Sequence, residues 1–196
     1  RFFGVGEVQL FEAEAIGPTQ HKLHPRISTS GRWILTVYVL ITVLCAVALR
    51  LCGMGIFDSI NHALTTAATG GFSTKNASIA YFNSHTIEYV ITFFMFLSGV
   101  NYGLLFFVAF RGQFHKLIED TQFKWYLMFL MIFTAIVGMS LFISTPYDGA
   151  SSLRNALFHV TAIITTTGFT STDYTQWPPF IWMTLGLCFY LGACAG

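Results

Sequence analysis

Asp58-Ser-Ile-Asn-His-Ala-Leu-Thr-Thr-Ala-Ala-Thr-Gly-Gly-Phe-Ser-Thr74 decides the fold of this chain, because it recurs without a gap as Asn155-Ala-Leu-Phe-His-Val-Thr-Ala-Ile-Ile-Thr-Thr-Thr-Gly-Phe-Thr-Ser171. With Gly71 set on Gly168, His62 falls on His159, Thr69 on Thr166 and Phe72 on Phe169. A hydroxyl follows in each copy, Ser73 and Thr170. Each copy reads as a short amphipathic helix running into a Thr/Gly turn, with a long apolar segment on either side. A repeat of whole units takes precedence over any reading of single residues.

Composition names the solvent. The chain is 54% hydrophobic and 10% charged, where soluble domains carry roughly 25% charged residues. A net charge of +1 leaves no basic footprint, so no nucleic-acid partner is expected. Cys45, Cys52, Cys188 and Cys194 all lie in apolar stretches without CxxC spacing and read as packed hydrophobes. No nucleophile–base motif and no phosphate loop is present, so enzymatic chemistry is not expected. The pattern starts and stops inside its own rhythm, and the chain reads as an excerpt of a longer protein.

A membrane-spanning helix needs about 20 mostly apolar residues. Trp33–Leu51, Thr86–Phe110 and Lys124–Ile143 supply three, and Pro179 opens a fourth. Ile56–Ala67 and Ser151–Ile164 are too short and too polar to span, and each ends in a Thr/Gly run. Irregular backbone at membrane depth is tolerated where it is buried in protein or lines a wet cavity. The expected fold is therefore all-α and membrane-integral, with repeated helix, re-entrant pore helix, helix units around a pore. Asp58, and Ser151 or Ser152, are the expected N-caps of the short helices. Glu88 is expected at the interface, Asn101 in a hydrogen bond between helices, and Trp33, Trp125 and Trp177 in the interfacial belt.

The positive-inside rule orients the set. Lys22, Arg26 and Arg32 precede the first span, and Arg111, Lys116 and Lys124 gather between the second and third. Residues 1–31 and 111–123 are then cytoplasmic, 32–110 form one pore unit, and 124–196 form part of another. Both short helices enter from outside. Each points its C-terminal end, with roughly half a negative charge, into the membrane, which favours a cation there.

Backbone carbonyls can replace the hydration shell of a cation without buried carboxylates. Ala68-Thr69-Gly70-Gly71-Phe72 and Thr165-Thr166-Thr167-Gly168-Phe169 contain no acid, which suits a monovalent alkali cation. Two other readings stand beside this one. Thr/Gly runs also serve close helix packing, which would make the protein a membrane scaffold. The repeated His62 and His159 invite an intramembrane metal or haem site, although neither has an i+4 partner; a packing role behind the turns is the plainer account. Gly99/Gly103 and Gly192/Gly196 form GxxxG pairs, read as helix packing or, at Gly192–Gly196, as a flexible break that gates the path.

The run Thr69-Gly-Gly-Phe-Ser-Thr-Lys-Asn-Ala-Ser-Ile-Ala-Tyr-Phe-Asn83, then Ser98-Gly-Val-Asn-Tyr-Gly103, Thr167-Gly-Phe-Thr170 and Gly192-Ala-Cys-Ala-Gly196, resembles the TrkH/KtrB/HKT superfamily of potassium transporters. Gln9-Leu-Phe-Glu-Ala-Glu14 and His24-Pro-Arg-Ile27 extend the resemblance over nearly the whole chain. The resemblance implies four helix–half-helix–helix units around one pore, of which this sequence holds the second and most of the third. It implies that Gly71 and Gly168 are filter glycines, and that the backbone carbonyls of Thr69, Gly70, Gly71, Thr166, Thr167 and Gly168 line potassium sites. It further implies potassium as the transported ion with no organic cofactor, a homodimer, a cytoplasmic nucleotide-binding ring of the TrkA type, and the inner membrane of a bacterial cell.

Overall fold

The computed structural model describes residues 27–192. Residues 1–26, with most of the expected cytoplasmic segment, and residues 193–196, with Gly196 and Cys194, lie outside them. Regular structure among the described residues is helical: α1 (Ile27–Leu51), α2 (Ile56–Ala67), α3 (His85–Ser98), α4 (Tyr102–Arg111), α5 (Phe114–Glu119), α6 (Thr121–Ser144), α7 (Gly149–Ile164) and α8 (Pro179–Leu191). Short 3-10 turns at Ser78–Phe82 and Tyr174–Gln176 follow the two Thr/Gly segments.

Within α1 and α6, Gly31–Leu51 and Thr121–Ser144 are each long and apolar enough to cross a membrane, and α3 with α4 makes a third if counted as one bent span. Val37, Ile41, Cys45 and Leu49 form a stripe along α1 at a spacing of four and are buried against protein. Leu35, Val39, Val43, Leu44 and Val47 on the same helix stay exposed. On α6, Val137 and Leu141 are buried while Met131, Met139, Phe142 and Ile143 are exposed. A helix that is apolar on both faces suits protein on one side and hydrocarbon on the other.

The short helix α2 is built the other way round. Ser59, His62, Ala63, Thr66 and Ala67 face inward, while Ile56, Phe57, Ile60 and Leu64 face out. In water that arrangement would be unstable; in a bilayer it puts the small and polar face toward protein. Each short helix packs on the long helix before it and the apolar helix after it: α2 on α1 and α3, α7 on α6 and α8. The two units meet where α3 lies against α7.

The expected straight span Thr86–Phe110 is broken. α3 and α4 meet at 105° across Gly99–Asn101. Asn101 causes the break: it is the N-cap of α4, and its side chain accepts the Gly103 N–H at 2.8 Å. It does not join two helices, as the sequence reading had it. The same break takes Gly99 and Gly103 off a shared helix face, since Gly99 caps α3 and Gly103 opens α4.

Other caps differ too. Gly55 is the N-cap of α2, and Asp58 sits in its first turn. Asp148, rather than Ser151 or Ser152, caps α7, accepting the Ser151 N–H at 3.3 Å. A side chain three residues ahead of a backbone N–H is well placed to cap it, so the cap lies one turn upstream of the serines.

Candidate functional site

Both half-helices end by the same device. The Thr69 N–H donates to the Thr66 carbonyl at 3.1 Å, and the Thr166 N–H to the Ile163 carbonyl at 3.0 Å. The residue that turns the chain out of the helix is left-handed in both, with φ of 49° at Thr69 and 55° at Thr166. Glycine normally holds that position. A β-branched residue there costs roughly 1–2 kcal/mol, and such strain concentrates at ligand sites. Two residues on, Gly71 and Gly168 are left-handed again, at 64° and 82°. Gly70 and Thr167, between them, are not. The sign of φ therefore alternates along each turn.

The hydrogen bonds of the two turns are offset by one position. The Gly70 N–H donates back to the Thr65 carbonyl at 2.8 Å, and the Gly168 N–H to the Ala162 carbonyl at 3.0 Å. Among the described residues, nothing donates to the carbonyl oxygens of Thr69, Gly70, Gly71, Thr166, Thr167 or Gly168. In the first copy the unbonded run, which begins at Ala68, lies between two used acceptors: the Ala67 carbonyl takes the Tyr102 hydroxyl at 3.0 Å, and the Phe72 carbonyl takes the Thr65 hydroxyl at 2.9 Å. Thr165 and Thr167, joined through their hydroxyls at 2.8 Å, are buried behind the second turn.

The two turns face each other closely. A Cβ on Gly71 would stand 1.8 Å from the Thr167 carbonyl oxygen. Gly71 is thus required twice, by its φ and by its neighbour. Gly168 needs glycine for its φ alone, since a Cβ there meets nothing within 4 Å.

Behind the turns sit the repeated histidines. His62 Nδ1 lies 2.7 Å from the Asp58 carbonyl and Nε2 lies 2.9 Å from the Ser73 hydroxyl. A ring protonated on Nδ1 satisfies both. His159 repeats the first bond, Nδ1 to the Asn155 carbonyl at 2.9 Å. His62 packs edge-on to Phe82 and stacks on Phe169 of the second copy; His159 packs against Trp177 at 4.7 Å. Both nitrogens of His62 are committed to the protein, and the two rings serve separate units, which favours the packing role over the metal or haem reading. Trp177 is buried by this contact and is not a belt residue.

Two further links fix the second copy on the first. The Thr170 carbonyl accepts the N–H groups of Ile79 and Ala80 at 3.0 and 3.3 Å, and its own N–H donates to the Ser78 hydroxyl at 3.3 Å. The Arg154 Nε of α7 meets the Glu88 carboxylate of α3 at 2.8 Å. Glu88 is buried, not interfacial, and Arg154 is its structural partner. Sequence reasoning missed this pair and Tyr102; the signal available for the pair was one acid and one base inside two otherwise apolar segments. Gly192 ends α8 with φ of 32°.

Such features define a membrane protein with paired re-entrant half-helices ending in carbonyl-rich turns. The chain belongs to the TrkH family of cation transport proteins, which matches residues 1–196. It is 38% identical over 195 residues to the Trk system potassium uptake protein TrkH of Salmonella typhimurium, covering 98% of this chain and 40% of that protein. It is 32% identical over 194 residues to TrkG of Escherichia coli K12, with the same coverage. The crystal structure of the potassium transporter TrkH from Vibrio parahaemolyticus superimposes with a TM-score of 0.85 at 31% identity, over 96% of this chain and 40% of that one. The chain thus spans about two fifths of the length of the relatives it matches.

Proposed function

We propose that the protein carrying this chain takes up potassium through a filter to which these two turns contribute, with no covalent step. One observation carries the reading: among the described residues, six carbonyl oxygens at repeat-matched turns accept no hydrogen bond, at the C-terminal ends of two half-helices. A free carbonyl at membrane depth is costly unless something else meets it, and a partly dehydrated cation does so. The half-helix ends add a favourable field for positive charge.

In this reading Thr69, Gly70 and Gly71 supply one wall and Thr166, Thr167 and Gly168 another, in a ring of four such units on the full chain. The half-helices of units 32–110 and 124–196 enter from outside, and residues 1–31 and 111–123 lie in the cytoplasm of a bacterial cell whose inner membrane holds the protein. The membrane potential contributes about 2.3 kcal/mol per charge per 100 mV to inward flow. Gly192, which ends α8, marks the start of the gate below the filter. The family resemblance implies a homodimer working with a TrkA-type cytoplasmic nucleotide-binding ring; the relatives' names support only membership of a Trk system.

The test is rubidium uptake by the full-length protein in cells lacking their own potassium uptake, wild type against Gly168→Ser. Space around Gly168 leaves this variant only the left-handed backbone penalty, roughly 1–2 kcal/mol. Uptake that falls or loses its preference for potassium supports the filter; unchanged uptake places the ion path elsewhere.

A further inference from the structure

The elbow between α3 and α4 touches the lower ends of both half-helices. Gly99, at its start, is packed so tightly that a Cβ would stand 2.8 Å from the Thr165 methyl and 2.7 Å from the Tyr126 hydroxyl. Thr165 is the C-cap of α7, immediately ahead of the left-handed Thr166. Three residues on, Tyr102 donates its hydroxyl to the carbonyl of Ala67, the last residue of α2, at 3.0 Å. Ala67 stands two residues before the left-handed Thr69. One four-residue stretch of the first unit thus meets the end of its own half-helix through a hydrogen bond, and the end of its neighbour's through van der Waals contact.

The elbow is itself fixed. Asn101 caps α4, and the Tyr126 hydroxyl of α6 donates to the Phe96 carbonyl at 3.2 Å. Tyr126 therefore holds α3 from the second unit while its ring stacks on Phe96. A straight helix through residues 85–111 would carry Tyr102 past the end of α2. The bend is what presents both Gly99 and Tyr102 to the half-helices.

We propose that Gly99 and Tyr102 are positioning residues for ion selection: they set the spacing of the two turns by holding Thr165 and Ala67 from below. They touch no ion, and they act through the residues that begin each turn. This rests on the filter reading above. A shift of a few tenths of an ångström at Thr165 moves the Thr166 and Thr167 carbonyls with it, because the intervening backbone is committed by the Thr166 and Gly168 hydrogen bonds.

The experiment measures, in the full-length protein, rubidium uptake under sodium competition, with half-saturation and maximal rate determined separately. Gly99→Ala is expected to lower the preference for potassium over sodium about tenfold. Adding Thr165→Ser, which keeps the hydroxyl and removes one of the two groups that the new Cβ strikes, is expected to restore part of that loss. Tyr102→Phe is expected to lower the preference about threefold, the effect of one lost neutral hydrogen bond. A fall in maximal rate with unchanged preference in both single variants would overturn the proposal, as would a Thr165→Ser double variant no better than Gly99→Ala. If Gly99→Ala does not reach the membrane, Tyr102→Phe decides alone, and wild-type preference there overturns the proposal. Gly168→Ser is run beside them. If it too keeps both wild-type uptake and wild-type preference, the filter reading falls; if it alone is altered, the filter stands and the elbow does not position it.

Discussion

Phe169 of the second repeat stacks on His62 of the first, ring centroids 5.9 Å apart and planes inclined by 28°. Among the described residues, the contact crosses between units whose backbones pair only through Thr170 and the turn at Ser78–Phe82. Phe169 is 1% exposed, so its ring is core as well as link. Truncating a buried phenylalanine costs about 3–5 kcal/mol. Phe169→Ala is expected to lower the melting temperature of the full-length protein in detergent sharply, and Phe169→Leu to recover most of it. Equal melting of Phe169→Ala and wild type would show that the link carries no stability.

The Glu88–Arg154 pair makes a different kind of prediction. Its two charges sit between α3 and α7 with little water. Removing one partner strands the other, at about 3–5 kcal/mol, whereas replacing both with apolar residues of similar volume is often neutral. Arg154→Met and Glu88→Leu are each expected to destabilise strongly, and the double variant to approach wild type. The measurement is a double-mutant cycle of thermal unfolding, and additive losses would argue against the pair.

Gly71 and Gly168 share a backbone conformation and differ in surroundings. Alanine at Gly168 meets only the left-handed penalty, roughly 1–2 kcal/mol. Alanine at Gly71 meets that penalty and the Thr167 carbonyl at 1.8 Å. Gly168→Ala is expected to fold with altered uptake, and Gly71→Ala to be recovered in much lower yield. Comparable yields on size-exclusion chromatography would count against the close approach of the two turns.

Asp173 supplies the pH dependence. Hydrogen bonds from the Thr175 hydroxyl, the Thr175 N–H and the Gln176 amide hold its carboxyl below the usual carboxylate range. A carboxyl depressed on folding adds stability that is fully present above its unfolded pKa, about 3.9, and is lost as pH falls through the folded value. Asp173→Asn is expected to melt below wild type at neutral pH, with the gap closing under acid conditions. A gap that stays constant down to the acid limit would mean the carboxylate is not the source.

The sequence made the half-helices legible because the repeat lines up His62 with His159 and both turns with each other. Ile56–Ala67 was read to the residue, and Ser151–Ile164 missed only the turn that Asp148 caps. Hydropathy made α3 and α4 one span, because it sums side chains and is blind to a capping asparagine within an apolar run. Glu88 was placed at the interface for a related reason: a carboxylate near a helix start is usually solvated, and its partner lies 66 positions away on another unit. Tyr102 went unread because an aromatic residue in an aromatic-rich helix carries no sign that its hydroxyl has an appointed carbonyl.

The stacking of Phe169 on His62 has a direction. One unit offers its phenylalanine and the other its histidine, so the junction is head-to-tail and cannot be mated by a twofold exchange of the same patch. Phe72, the equivalent of Phe169, is 77% exposed, and His159, the equivalent of His62, keeps an unpartnered Nε2 among the described residues. Each unit therefore has a leading side and a trailing side, and copies joined by this contact advance around an axis with one fixed sense of rotation.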